Sequence, residues 1–219
     1  MRKGVLNVTN VLILGANGQI ARYAIDLFLN ETDAKLTLYL RNADRVQQYA
    51  SDRVRIIEGD VLNRETLKEA MVNQDVVYAN LAGDDLEEQA KTVVSAMEET
   101  EVKRLIFISS LGIYDEVPGE FGKWNNRTIG QYLGPYRKSV DVIEASNLNY
   151  TVLRPAWLTD YDEVEYEITE KGDPYKGTEV SRKSVAAFVV KLAESPDLHV
   201  GGNLGVNKPN TDGDKPAFL

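Results

Sequence analysis

The chain has 219 residues, 43% hydrophobic and 27% charged, which suits one globular domain with a core that needs no covalent staples. It has no cysteine and one histidine, His199, so disulfides, thiol nucleophiles and histidine-rich metal cages are excluded; His199 itself reads as a surface residue. A formal net charge of −9 opposes a general grip on nucleic acid or anionic membrane, while leaving room for a local basic pocket that holds a phosphate.

The opening MRKGVLNVTNVLIL starts like a signal peptide, but Asn7, Thr9 and Asn10 interrupt its apolar stretch and a glycine turn follows at once. No run approaches the ~18 apolar residues of a membrane span, so a cytoplasmic protein is expected. Continuous apolar runs predict strands at Val11–Leu14, Leu36–Leu40, Val54–Ile57, Val76–Leu81, Leu105–Ile108 and Tyr150–Leu153. Helical patterns lie between them, near 19–29, 43–50, 64–72, 86–100 and 130–146. Such alternation implies a parallel sheet with right-handed crossovers, hence an α/β, doubly wound, Rossmann-type domain spanning 1–219. The stretch LGIYDEVPGEFGKWNNRT, 111–128, reads as one long turn-rich loop, a length that usually carries function.

Beyond Pro155 the pattern changes into a small C-terminal extension on the substrate side, residues 155–219. One strand is expected at Glu165–Glu170, a helix capped by Ser181 and running to Glu194, a last strand in GGNLGVN and an irregular tail. The acidic run Asp160, Asp162, Glu163, Glu165, Glu167 lacks the glycine and spacing of a calcium loop, and no metal site is predicted from it.

Residues 12–22, LILGANGQIAR, carry the first chemical signal. Gly15 permits a sharp turn after the strand, Gly18 lets backbone approach a pyrophosphate, and the small Ala21 lets the helix pack close to the sheet. The free N–H groups of the helix start, near Asn17, Gln19 and Ile20, then face the phosphates. A plain strand–helix turn needing glycine for shape alone is the competing explanation.

The spacing G-x-x-G-x-x-A resembles the short-chain dehydrogenase/reductase superfamily in its atypical and extended branches, and further segments agree in order. GDVLN (59–63) is similar to the family's adenine-contacting pair, here Asp60 and Val61; NLAG (80–83) to its Asn-x-Ala-Gly, with Leu81 and Ala82; FISSLGIY places Ser109 and Ser110 at the family's serine. VLRPAWL resembles the L-R-P segment beside the nicotinamide, which brings in Pro155 and Trp157, and EVSRKSVA (179–186) resembles I-S-R-x-D-V-A of small reductases. The resemblance covers nearly the whole chain. It is closest to small NAD(P)-binding proteins of NmrA-like, flavin-reductase-like or epimerase-like type, and it implies a nicotinamide dinucleotide as cofactor.

The residue ending the second strand meets the adenosine ribose in such folds, and an arginine there suits the 2′-phosphate. LTLYL is followed by Arg41, with Arg45 beyond it, and by no acid; Asp33 precedes the strand and so lies at the wrong edge. NADP(H) is therefore expected over NAD(H). The superfamily's usual catalytic pair is Tyr-x-x-x-Lys. Here, in QYLGPYRKS, Tyr132 stands at the tyrosine but Tyr136 stands at the lysine. Lys138 falls about 120° around a helix from Tyr132, and Pro135 suggests that Tyr132 lies outside regular helix. Ser110, Tyr132 and Tyr136 are the catalytic candidates, with Tyr136 also a candidate ribose contact. Two functions compete: a small NADP-dependent oxidoreductase passing hydride to a planar or carbonyl acceptor, and a non-catalytic NADP(H)-sensing regulator, which would add a protein partner. A sugar-nucleotide epimerase is disfavoured by the short segment after Pro155.

Overall fold

The computed structural model describes residues 8–219; the signal-like opening as far as Asn7 lies outside the described residues. Strands β1 (Asn10–Leu14), β2 (Lys35–Leu40), β3 (Val54–Glu58), β4 (Val76–Ala79), β5 (Arg104–Ile108) and β6 (Asn149–Pro155) run parallel. Helices α1 (Gln19–Glu31), α2 (Arg64–Met71), α3 (Leu86–Glu99) and α4 (Gly119–Glu144) provide crossovers, and a 3-10 segment, Ala43–Tyr49, joins β2 to β3. The segment after Pro155 adds β7 (Trp157–Thr159), β8 (Glu167–Thr169), β9 (Glu179–Ser181), α5 (Arg182–Glu194) and β10 (Gly202–Asn207).

The main sheet has eight strands in the order β3-β2-β1-β4-β5-β6-β10-β8. The last strand β10 is an interior one, parallel to β6, and β8 closes the edge antiparallel to it. Two elements were not legible in the sequence, β7 and β9, which pair in parallel as a separate two-stranded ladder. Every residue of β4 and β5 is buried, because helices cover both faces. On one face α1, through Ile20, Ala24, Ile25 and Phe28, packs with α5, through Val185, Phe188 and Val189. On the other, α2, α3 and α4 bury Leu67, Val93, Met97, Val140 and Ile143 against Leu12, Val77, Leu105 and Val152. Each large side chain so buried contributes about 1.5–3 kcal/mol.

Three expectations are corrected. The stretch 111–128 is not one loop: α4 begins at Gly119, because Phe121 and Asn125 are buried by tertiary contacts that outweigh the Gly- and Asn-rich composition. The same helix runs unbroken through Pro135, so Tyr132 does lie within helix; the buried stripe of Leu133, Ser139, Val140 and Ile143 holds both sides of the proline. His199 is half-buried rather than on the surface, edge-on to Phe188 with centroids 5.9 Å apart. Among the described residues no helix is long and apolar enough to cross a membrane.

Candidate functional site

The order of the strands reverses between β1 and β4, and their C-terminal ends open a crevice there. Gly15 turns out of β1 with φ +72°, and a Cβ on it would lie 2.3 Å from the Asn80 carbonyl oxygen. A Cβ on Gly18 would fall 1.9 Å from Asn80 Nδ2. Both glycines are thus required by the chain's own β4 end, which presses on the turn. Helix α1 starts with Gly18 as N-cap, with no side-chain cap and no acid in its first turn. Its leading N–H groups, those of Gln19 and Ile20 included, remain free to meet an anion. Ala21 is fully buried, as close packing of α1 requires. Arg22 donates to Asn17 Oδ1 and fixes the turn from outside.

From this turn a cleft of about 480 Å³ extends across the ends of β1, β2 and β3. Gly15, Asn17 and Gly18 line it, together with Arg41, Asp60, Val61, Leu81 and Ala82. Arg41 is exposed at the end of β2, beside Asn42 and Arg45; neither arginine forms an ion pair with another described residue. Asp33 is exposed before the start of β2, away from these cleft residues at its end. Tyr39 donates its hydroxyl to the Asp60 carbonyl at 2.9 Å and lies where a Cβ on Gly59 would stand. Burial, and secondarily the Asp60 carboxylate, pushes the Tyr39 phenol up to about 12, so it stays neutral. Tyr39, Asn42, Asn80 and, on α3, Asp85 and Gln89 were not identified as site residues from sequence. For Asn80 the signal was present in the NLAG segment; for Gln89, which donates to Asp85 Oδ1 at 2.7 Å and the Ala82 carbonyl at 3.3 Å, it was not.

A second cleft, about 650 Å³, shares Gly18, Asn80, Leu81 and Ala82 with the first, so the two adjoin. Gln19, Ile20, Ser109, Ser110, Tyr132, Tyr136, Pro155 and Trp157 all line it, joined by Leu133 and by two residues sequence reasoning missed, Arg182 and Phe218. The Ser109 hydroxyl is buried and has no hydrogen-bond partner, while Ser110 donates to the Leu111 carbonyl at 3.1 Å. Tyr132 is 57% exposed at the mouth. Tyr136 is half-buried, and desolvation raises its phenol above the usual value. Lys138 points elsewhere, its Nζ 3.7 Å from Glu87 on α3. Trp157 donates its indole N–H to Asn125 Oδ1 at 2.9 Å and packs 4.7 Å from Trp124. Those two contacts orient a ring that the sequence alone placed only approximately.

Behind this wall lies a buried polar cluster. Arg154, fully buried in β6, pairs with Glu116 and donates to Asn203 Oδ1 at 2.7 Å. Glu116 also accepts from the Gly112 and Tyr114 N–H groups, each at 3.0 Å. The segment linking β5 to α4 is thereby tied to the sheet. The acids of 160–165 are also paired: Asp160 with Arg182, Asp162 with Lys183, and Glu163 and Glu165 with Lys208.

The profile of a family described as NAD(P)H-binding matches residues 15–196. A Rossmann-fold NAD(P)-binding family protein from Shigella flexneri is 48% identical, with TM-score 0.83 over 97% of this chain and 100% of its own. A short-chain dehydrogenase/reductase from Veillonella parvula, crystallised in complex with NADP, is 31% identical, with TM-score 0.89 over 96% of this chain and 99% of its own. The anaerobilin reductase ChuY from Escherichia coli shares the fold at 21% identity, TM-score 0.81, over 94% of this chain and 100% of its own. An isoflavone reductase homolog of Nicotiana tabacum is 22% identical across 86% of this chain, which spans 65% of that relative's length.

Proposed function

Because the chain belongs to the NAD(P)H-binding Rossmann family, in the atypical short-chain dehydrogenase/reductase group, it is an NAD(P)-binding protein related to reductases, and we propose that it is a small NADP-dependent oxidoreductase transferring hydride to a planar or carbonyl acceptor. The observation that carries this is that the phosphate-suited cleft adjoins, and shares lining residues with, a second, roomy cleft walled by Leu133, Tyr136, Trp157 and Phe218. A nucleotide pocket alone would suit storage or sensing; an adjoining pocket with aromatic walls suits a second, flat reactant.

The residues present fit the dinucleotide. The uncapped start of α1 suits the pyrophosphate, and Arg41 with Arg45 suits a 2′-phosphate through charge-assisted bonds. Asp60 and Val61 would border the adenine, and Leu81, Ala82, Ser109 and Pro155 the nicotinamide half, where the unpartnered Ser109 hydroxyl would gain a partner. The bound dinucleotide supplies the hydride. Tyr136, kept neutral by burial, would hold a proton rather than release one, and the exposed Tyr132 leaves the mouth open for solvent to protonate the product.

One observation favours the sensor reading: Lys138, the lysine nearest in sequence after Tyr132, is engaged with Glu87 instead. A screen of NADPH oxidation against quinones, flavins and small aldehydes, run beside an NADPH titration, separates the two. Turnover with any of these acceptors supports the oxidoreductase; NADPH binding without turnover supports the regulator.

A further inference from the structure

Among the described residues lining the second cleft, Arg182 is the one that carries a charge, and that charge is positive in a chain of net charge −9. Arg182 opens α5, behind the N-cap Ser181, whose hydroxyl accepts from the Ser184 N–H at 2.9 Å. A cation at this helix position works against the helix dipole, so helix stability does not account for it. Its Nη1 donates to Asp160 Oδ1 at 2.9 Å and to the Leu158 carbonyl at 3.3 Å, while its Nε is buried with no partner. Arg182 is 16% exposed and Asp160 is 70% exposed, so the acid can leave for water more readily than the guanidinium.

Phe218 also lines this cleft, brought in by a tail that is held at Thr211, Pro216 and Ala217. Thr178 donates its hydroxyl to the Thr211 carbonyl at 2.7 Å, the Ala217 N–H donates to Glu179 Oε2 at 2.7 Å, and Pro216 is buried. An exposed aromatic held this firmly, on the cleft that also contains Trp157, adds a second apolar surface for a flat molecule.

Building on the oxidoreductase reading, we propose that the acceptor is a planar molecule bearing a carboxylate, with its anionic group on Arg182 and its flat body against Trp157 and Phe218. One guanidinium already shared with Asp160 matches a single negative charge. An incoming carboxylate would displace Asp160 into water and take over its hydrogen bond from Nη1.

The test compares a planar aromatic carboxylic acid, a naphthoquinone carboxylate, with its methyl ester. Binding to the NADP⁺-loaded protein is followed by quenching of the two tryptophans and by calorimetry. The acid should bind about ten- to a hundredfold more tightly than the ester, and salt should erode the preference. Arg182→Gln should abolish the preference while leaving NADP⁺ and ester affinities unchanged. Phe218→Ala should weaken acid and ester together. Asp160→Asn, which frees Arg182 without deleting it, should strengthen acid binding, so the idea stands testable even if Arg182→Gln fails to fold. Equal affinities of wild type for acid and ester, or a preference that survives Arg182→Gln, overturn the assignment. A clear acid preference in a protein that oxidises NADPH with none of the quinones, flavins and aldehydes of the screen keeps Arg182 as the anion site and overturns the oxidoreductase reading alone.

Discussion

The two clefts are built in different ways. The first is assembled mainly from the ends of neighbouring strands and the residues that follow them, with Asp85 and Gln89 added at the start of α3, all between Gly15 and Gln89. Each contribution is local: a turn, a strand end, the first residue of a loop. The second gathers residues from Gly18 to Phe218, and its walls come from α4, the β6–β7 junction, the start of α5 and the closing tail. On the proposed reading, the phosphate end of a dinucleotide would be met by backbone and glycine geometry, which a short motif encodes. The acceptor end would be met by side chains that only tertiary packing brings together.

If that contrast holds, the largest effect comes from the polar cluster behind the second cleft. Arg154 is 1% and Glu116 6% exposed at their side chains, so Arg154→Met leaves a buried carboxylate without its cation. A loss of about 3–5 kcal/mol in urea unfolding is expected, with much of it recovered by adding Glu116→Leu. A loss below about 1 kcal/mol would mean that the cluster does not hold the acceptor wall.

Next is Gly15→Val, which attacks the first cleft at its most local element. A side chain there needs a rare positive φ and meets the Asn80 carbonyl. Strain of about 1–3 kcal/mol should appear in stability, with cofactor affinity down by about a hundredfold. Calorimetry with NADPH beside a thermal melt reads both; unchanged affinity would show the turn to be structural only.

The contrast also explains what the sequence disclosed. The parallel sheet, the glycine turn and the place of Arg41 at the end of β2 were legible because each depends on a run of neighbours, whereas Asp60 and the serine pair, which line the clefts, were singled out only by the family resemblance. A helix was expected near 130–146, but its extent was misjudged: Pro135 suggested that Tyr132 lay outside regular helix, and Phe121 and Asn125, more than thirty residues from Trp157, gave no local hint of helix. Strands β7 and β9 are three residues each and pair only with one another, too short for a periodic signal. Arg182 sat in a segment noted for resemblance, yet nothing in its spacing placed it in a cleft. Phe218 lay in an irregular tail whose path is set by Thr178 and Glu179.

A smaller effect sharpens the nucleotide side. Arg41→Ala should weaken NADPH binding about ten- to a hundredfold while leaving NADH nearly unchanged, since the guanidinium would meet only the 2′-phosphate. Arg45→Ala should show the same selectivity with a smaller loss, because its approach is from the next turn of chain. Titration calorimetry with both cofactors measures this. Equal losses for NADPH and NADH would place Arg41 outside the phosphate site.

The smallest effect is expected at Tyr132. A tyrosine general acid in this superfamily works with a lysine one turn along, and loss of a general acid costs about 10²–10⁴-fold in kcat. Here the residue one turn along is Tyr136, and Lys138 is drawn to Glu87. Tyr136 cannot substitute for the lysine electrostatically, since burial raises its phenol and keeps it uncharged. A raised tyrosine pKa means that the proton is retained below its ordinary value of about 10 and is lost only above it. The kcat/KM of NADPH oxidation with the best acceptor should therefore show no limb from Tyr136 between about pH 6 and 9. Tyr132→Phe should lower kcat by less than about tenfold, because its exposed hydroxyl can be replaced by solvent. A drop of a hundredfold or more with NADPH affinity intact would make Tyr132 the proton donor. The acceptor cleft would then owe its chemistry to one local residue after all, as the nucleotide cleft owes its binding to a local turn.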